Sequence, residues 1–291
     1  SILNLKDQVK FDSDKEVFVK LIFQQKKDEL WADKGYVVAW EQFKINDAKP
    51  RQVALTTSSS DIQVDEEGSW LRITSAATQL IFNLLTGLPD SYIVGKDTLL
   101  QGGMQFNFTR AYTDNDKGWK VHQNMKVWEK EGANFSVISF QYRKLSDNRL
   151  VVESQLRFNA TQTIAKIVCT IDGKGAVTLQ SEINIPEGNP NLPRIGLAFA
   201  INPSLKEIEW YGRGPHESYI DRYTSAAVGN YRTSFDRWVT PYVRPQENGN
   251  RTDVRHIHFS NAQGRKLLFT SVGERNISVG AWPYSFETLS R

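Results

Sequence analysis

Residues 210–229, WYGRGPHESYIDRYTSAAVG, crowd Arg213, His216, Glu217, Asp221 and Arg222 between aromatic residues. An imidazole beside a carboxylate is the raw material of general acid–base catalysis. On a strand, adjacent side chains point to opposite faces, so His216 and Glu217 cannot both reach one substrate atom. Gly212, Gly214 and Pro215 announce a turn, which keeps the paired reading open. The competing reading is an ion-pair cluster in which Glu217 or Asp221 meets Arg213 or Arg222. Pairing of that kind lowers a carboxyl pKa and makes it a poor general acid.

Three further groups bear on chemistry. His256 and His258 sit two apart in RHIHF, so a strand points both to one side. Zinc needs three or four ligands, and no third stands at a supporting spacing, so these read as cross-strand surface histidines and no metal site is expected. The stretch NFTRAYTDNDKGW carries Asp114, Asn115 and Asp116 ahead of Lys117, Gly118 and Trp119. An Asp-Asn-Asp run suits calcium, but it lacks the later glutamate and the spacing of a helical calcium loop, so a mobile polar turn is the expectation. The tripeptides GRG and GKG lack a following helix, which removes a phosphate-loop reading.

The elements that must position these residues are strands. VTLQSEINI alternates from Val177 to Ile185. SVISFQYRKL places Ile138, Phe140 and Tyr142 on one face. KIVCTIDGKGAVTLQ is two β runs joined at Asp172-Gly173-Lys174-Gly175, a hairpin signal. VFVKLIF, WLRITS, QLIFNLLTG, RIGLAFAIN, KLLFTSVG and NISVGAW are further strands. No long helical period appears. A short helix is expected in YSFETLSR, capped by Ser285. The chain is therefore all-β, a large sandwich or barrel.

Composition agrees. The 291 residues are 40% apolar, with a net charge of +3. No Lys/Arg run forms a nucleic-acid stripe, and no apolar run approaches a membrane span. The single cysteine, Cys169, excludes an internal disulfide and reads as a small core residue. Residues 1–48 hold two strands, too few to close a domain, and a looser polar stretch follows near Lys49.

Several segments together resemble the C-terminal region of bacterial β-galactosidases of glycoside hydrolase family 2. ADKGYVVAWEQFKI resembles the last strands of that family's immunoglobulin-like domain. FNFTRAYTDNDKGW is similar to its Asn-Phe-x-Arg-Ala-Pro-x-Asp-Asn-Asp loop, with Tyr112 where the family has proline. EWYGRGPHESYIDRYTSAAVGNY resembles its Gly-x-Gly-Pro-x-Glu-x-Tyr-x-Asp-Arg motif. VTPYVRPQENGNRTDVR resembles Tyr-x-x-Pro-x-Glu-x-Gly, carried here by Tyr242, Pro245, Glu247, Asn248 and Gly249.

The resemblance implies a galactose-mutarotase-like supersandwich of two large antiparallel sheets at 49–291, preceded at 1–48 by trailing strands of an immunoglobulin-like sandwich. In the family the nucleophile and the acid/base are two glutamates of a preceding TIM barrel. The resemblance therefore implies no catalytic residue and no cofactor here. Arg213, Glu217, Asp221, Arg222 and Glu247 become structural, and Asp114–Trp119 becomes a loop facing the active site of the whole enzyme. The implied partners are the remaining domains, a galactoside bound by the whole enzyme, and further copies in a homo-oligomer; the implied compartment is a bacterial cytoplasm or periplasm. The family continues into a Gly-Gly-Asp-Asp-Ser-Trp segment, so the C-terminus reads as cut, and Trp282 lies too early to take that tryptophan's role. Two other functions suit the same fold. One is an aldose 1-epimerase-like enzyme, which needs a Glu base and a His acid in one cleft. The other is a stand-alone carbohydrate-binding module.

Overall fold

The computed structural model describes residues 12, 14–49, 61–145 and 147–289. The boundary near Lys49 abuts a stretch outside the described residues. The chain opens with β1 (Val17–Gln24) and β2 (Val37–Asn46), which pair with each other. A meander follows: β3 (Gln63–Glu67), β4 (Trp70–Ser75), β5 (Thr78–Asn83), β6 (Leu88–Val94) and β7 (Asp97–Asn107). Three short helices come next, α1 (Asp114–Gly118), α2 (Val121–Asn124) and α3 (Trp128–Glu131). A second meander holds β8 (Phe135–Lys144), β9 (Leu150–Phe158), β10 (Ile164–Ile171) and β11 (Val177–Asn184). The rest comprises β12 (Gly196–Ile201), β13 (Glu207–Gly214), β14 (Ala227–Ser234), β15 (Arg251–Val254), β16 (His256–Ser260), β17 (Lys266–Thr270), β18 (Ile277–Val279) and α4 (Phe286–Leu289).

Every ladder is antiparallel. A six-stranded sheet runs β12-β7-β6-β5-β4-β3, and four-stranded sheets run β11-β10-β9-β8 and β14-β13-β16-β17. Alternation explains the first core. Leu71, Ile73, Leu80, Phe82 and Phe106 from the six-stranded sheet meet Leu150, Val152, Leu156, Phe158, Ile167 and Cys169 from the β8–β11 sheet. Cys169 is fully buried, which pushes its thiol up to about 12. A second core joins Leu99 to Ile208, Trp210, Ile257, Phe259 and Leu267 of the β13–β17 sheet, with Trp238 among them. The chain is thus an all-β sandwich in which the six-stranded sheet faces two smaller ones.

Two local expectations meet the structure differently. The hairpin at Asp172 forms as read: Gly175 takes φ +85° and its N–H donates to Asp172 O, while Asp172 Oδ1 accepts from Lys174 and Ala176 N–H. A side chain at Gly175 would strike Thr78. In β8, however, a register shift falls between Val137 and Ser139. This bulge turns Phe135, Val137 and Phe140 toward the core and leaves Ile138 42% exposed, so Ile138, Phe140 and Tyr142 do not share one buried face. The helices between Asp114 and Glu131 are too short to produce a readable period.

The β1–β2 hairpin is fastened to the β13–β17 sheet by polar contacts. The Gln42 side chain donates to Val228 O and accepts from Val228 N–H, both at 2.8 Å, which satisfies that peptide as a neighbouring strand would. Glu16 receives Arg255 through Nε at 2.8 Å and through Nη2, receives Tyr211 Oη at 2.8 Å, and lies 3.1 Å from Lys44 Nζ.

Candidate functional site

Three motifs, spread over more than a hundred residues of sequence, converge at one end of the sandwich. Glu217 follows β13 and is 5% exposed. It is held by Gly249 N–H at 2.7 Å, by the Tyr242 hydroxyl and by the Arg222 guanidinium, which also donates to Tyr242 Oη at 3.0 Å. Burial acts to raise the Glu217 carboxyl. The hydrogen bonds from Tyr242, Gly249 and Arg222 outweigh it and hold the group below the usual carboxylate range. Gly249 has φ +72°, which orients its N–H toward the carboxylate.

Glu247, 4% exposed, pairs with Arg194, and its backbone N–H donates to Ala111 O at 2.9 Å. Burial raises the Glu247 carboxyl despite the arginine. Next to it, Arg110 forms a two-pronged contact with Asp116, Nε to Oδ2 at 3.0 Å and Nη2 to Oδ1 at 2.8 Å. Asp116 also accepts from Thr113 N–H while Thr113 Oγ1 accepts from Asp116 N–H, a reciprocal cap that builds α1. Asp114 reaches Arg244 at 3.0 Å. Segments 110–119, 217–222 and 240–249 are thereby stitched together.

The stretch Asp114–Trp119, expected as a mobile polar turn, is a capped helical turn with Asp116 6% exposed. Asp114 and Asp116 turn to different arginines, which opposes joint calcium ligation. Asn115, Lys117 and Gly118 lie within or end the turn, and Trp119 follows it at 81% exposure. Tyr112, where the resembled family has proline, donates to Glu129 Oε1 at 3.1 Å.

The structure divides the residues of the 210–229 stretch. Glu217 and Arg222 are paired. Arg213 turns to the other side, to Asp253 at 2.6 Å and to the carbonyls of Tyr223 and Ala226, with its guanidinium 4.5 Å above the Tyr223 ring. Asp221 is exposed. His216 meets Ser225 Oγ at 3.0 Å and is exposed. His216 and Glu217 do not converge, so the acid–base pair an epimerase requires is not assembled from them. His256 and His258 share a face of β16, and His258 Nε2 lies 3.2 Å from Glu209. Among the described residues, no group of three or more His, Cys, Asp or Glu side chains gathers around a common point.

Arg110 and Arg194 carry much of this network, and Asp253 holds Arg213 outside it; none of the three is among the site residues expected from sequence. Arg110 lies in FNFTRAYTDNDKGW six residues before Asp116, a spacing that one turn can close, and that spacing is its signal. Asp253 lies near the end of VTPYVRPQENGNRTDVR, forty residues from its partner Arg213, and Arg194 sits in a loop with no local pattern to mark it. Around the charge-compensated base, Trp119, Ile220 at 88% and Val243 at 107% exposure stand out as apolar tips.

These features define a class: an antiparallel β-sandwich module whose loop end is built on paired arginines and glutamates, with the glutamates buried beneath their arginines. Comparison with known proteins agrees. The family model "Beta galactosidase small chain" matches residues 74–291, and "Beta-galactosidase, domain 4" matches residues 2–46. The chain belongs to the β-galactosidase small-chain family. It is 33% identical over 270 residues to a beta-galactosidase of Priestia megaterium, covering 93% of this chain and 26% of that protein. It is 28% identical over 274 residues to one from Pseudoalteromonas haloplanktis, covering 89% and 26%. It is 30% identical over 269 residues to one from Vibrio cholerae, covering 84% and 26%. The chain spans about a quarter of the length of the curated relatives it matches.

Proposed function

We propose that this chain is a non-catalytic C-terminal part of a β-galactosidase, and that its loop end packs against the domain that performs hydrolysis. In such an enzyme two carboxylates split terminal β-galactosides with retention, through a glycosyl-enzyme intermediate. The observation that carries the reading is the convergence of segments 110–119, 217–222 and 240–249 into a neutralised base tipped by exposed Trp119, Ile220 and Val243. Ion pairs fix the loops, and exposed apolar tips on those loops suit burial against another surface. Glu217 and Glu247 are one lowered and one raised in pKa, the split a glycosidase pair uses, but both are buried against arginines. Their role is to hold the loops.

The test is hydrolysis of a chromogenic β-galactoside. The chain alone is expected to be inactive, and the longer protein with the barrel active. Val243→Asp and Trp119→Ala in the longer protein are expected to lower kcat. Turnover by the chain alone, retained through purification to homogeneity and lost on Glu217→Gln, would overturn the reading.

A further inference from the structure

The outer face of the six-stranded sheet holds a feature unrelated to the loop end. Asp65, Glu67, Trp70, Arg72, Ile81 and Asp90 line a depression of about 250 Å³. The register explains the grouping. Glu67 stands opposite Trp70 and Asp65 opposite Arg72 across β3–β4, and Arg72 stands opposite Ile81 across β4–β5. The inward partners Leu71 and Ile73 are buried in the first core, which fixes the strand beneath. Trp70 is 43% exposed, an expense of apolar area that the core does not use.

We propose that this face binds a neutral pyranoside, with one sugar ring stacked on the Trp70 indole. A sugar has an apolar C–H face and a rim of hydroxyls that both donate and accept. Trp70 offers the flat apolar partner. Arg72 offers fixed-fork donors, and Asp65 and Glu67 offer acceptors. Among the described residues, no salt bridge joins Asp65, Glu67 or Arg72 to one another despite their cross-strand adjacency, and Asp90 accepts from the neighbouring Ser91 hydroxyl at 2.5 Å. The hydrogen-bonding groups of Asp65, Glu67 and Arg72 stay available for a ligand. The lining also holds Asp90, so three carboxylates surround one guanidinium; a neutral polyol uses both the donors and the acceptors, whereas a cation would use the acceptors alone, and the spermidine control separates the two. The site rests on no catalytic role for the chain.

The test follows the Trp70 indole N–H resonance by NMR in the full 291-residue chain, assigned through Trp70→Phe. The probes are methyl β-galactoside, lactose and cellobiose, with spermidine as the cationic control. Saccharide is expected to shift the Trp70 resonance with millimolar affinity. Trp70→Ala is expected to weaken binding about tenfold, equivalent to ~1.4 kcal/mol. The double variant Glu67→Gln, Arg72→Gln retains the ring and weakens binding severalfold, which covers the case in which Trp70→Ala does not fold. Trp31→Ala, at an exposed tryptophan between β1 and β2, leaves the affinity unchanged. Preference among the three sugars identifies the source. A Trp70 resonance that moves with none of the sugars, or with spermidine only, overturns the proposal.

Discussion

The two cores are built by different means. Between the β3–β7 meander and the β8–β11 sheet, an aromatic cluster does the packing. Phe158 contacts Phe106, Phe108 and Phe135 at ring separations of 5.1, 4.9 and 5.6 Å. Against the β13–β17 sheet, tryptophans share the interior with charge. Arg251 is 3% exposed, 4.4 Å from the Trp238 ring and 5.5 Å from the Trp210 ring. Burial lowers its pKa to about 10, so it is a cation at neutral pH, held by two aromatic faces. Arg255, Glu217 and Glu247 are also buried in this half. The first core is a matter of volume and alternation. The second half depends on particular partners, and the charges there hold loops and the β1–β2 hairpin in place.

The largest expected effect tests the volume side. Phe158 is fully buried. Phe158→Ala removes the ring at the centre of the cluster, and the loss is expected at ~3–5 kcal/mol in equilibrium unfolding. If it costs less than removal of Glu217, the contrast between the cores is misdrawn.

Acid should act on the other side first. Burial alone would raise the Glu16 carboxyl. Hydrogen bonds from Arg255, Tyr211 and Lys44 override this and hold it at about 2. A group whose pKa is lower folded than unfolded stabilises above the unfolded value. That stability is therefore full at neutral pH and fades as pH falls from about 5 toward 2, with a total on the order of 3 kcal/mol. Glu16→Gln should flatten that part of the stability–pH profile. A variant profile parallel to the native one would show that the clamp contributes nothing.

Glu217→Ala comes next, at about 1–3 kcal/mol, because it leaves Gly249 N–H and part of Arg222 without their acceptor. Its expected signature is a lower melting temperature. An unchanged melting temperature would mean that water replaces the carboxylate and that the loop end is held elsewhere.

The same contrast governs how much the sequence discloses. Alternation at Val177–Ile185 and the Asp172–Gly175 turn are local, and the strands and hairpin follow from them. The bulge at Ile138 depends on pairing with β9, so simple alternation fails to give the buried face of β8 beyond it. Glu217 and Arg222 lie five apart and were legible as partners. Glu16 and Arg255 lie 239 apart, and no local pattern joins them. Proximity in sequence groups Arg213 with Glu217, but the strand end sends it to Asp253 instead. Contacts made within one turn or hairpin can be read from spacing, and contacts made by folding back across the sandwich cannot.

The smallest effect concerns α1, where the two modes meet. Thr113 Oγ1 accepts from Asp116 N–H at 3.1 Å, and Asp116 returns to Thr113 N–H at 2.9 Å while holding Arg110. Thr113→Ala removes one half of this exchange and is expected to cost ~1 kcal/mol. The Asp116–Arg110 pair survives the change, so the loop should fray without detaching. Amide hydrogen exchange at 114–118 should then quicken while exchange in the β8–β11 sheet stays constant. Asp116→Asn removes charge from the pair with Arg110 and should quicken the same amides more than Thr113→Ala does. If both variants instead quicken exchange in the first core, then α1 is part of the packed interior rather than a charged seam beside it, and the line drawn between the two halves must move to include it.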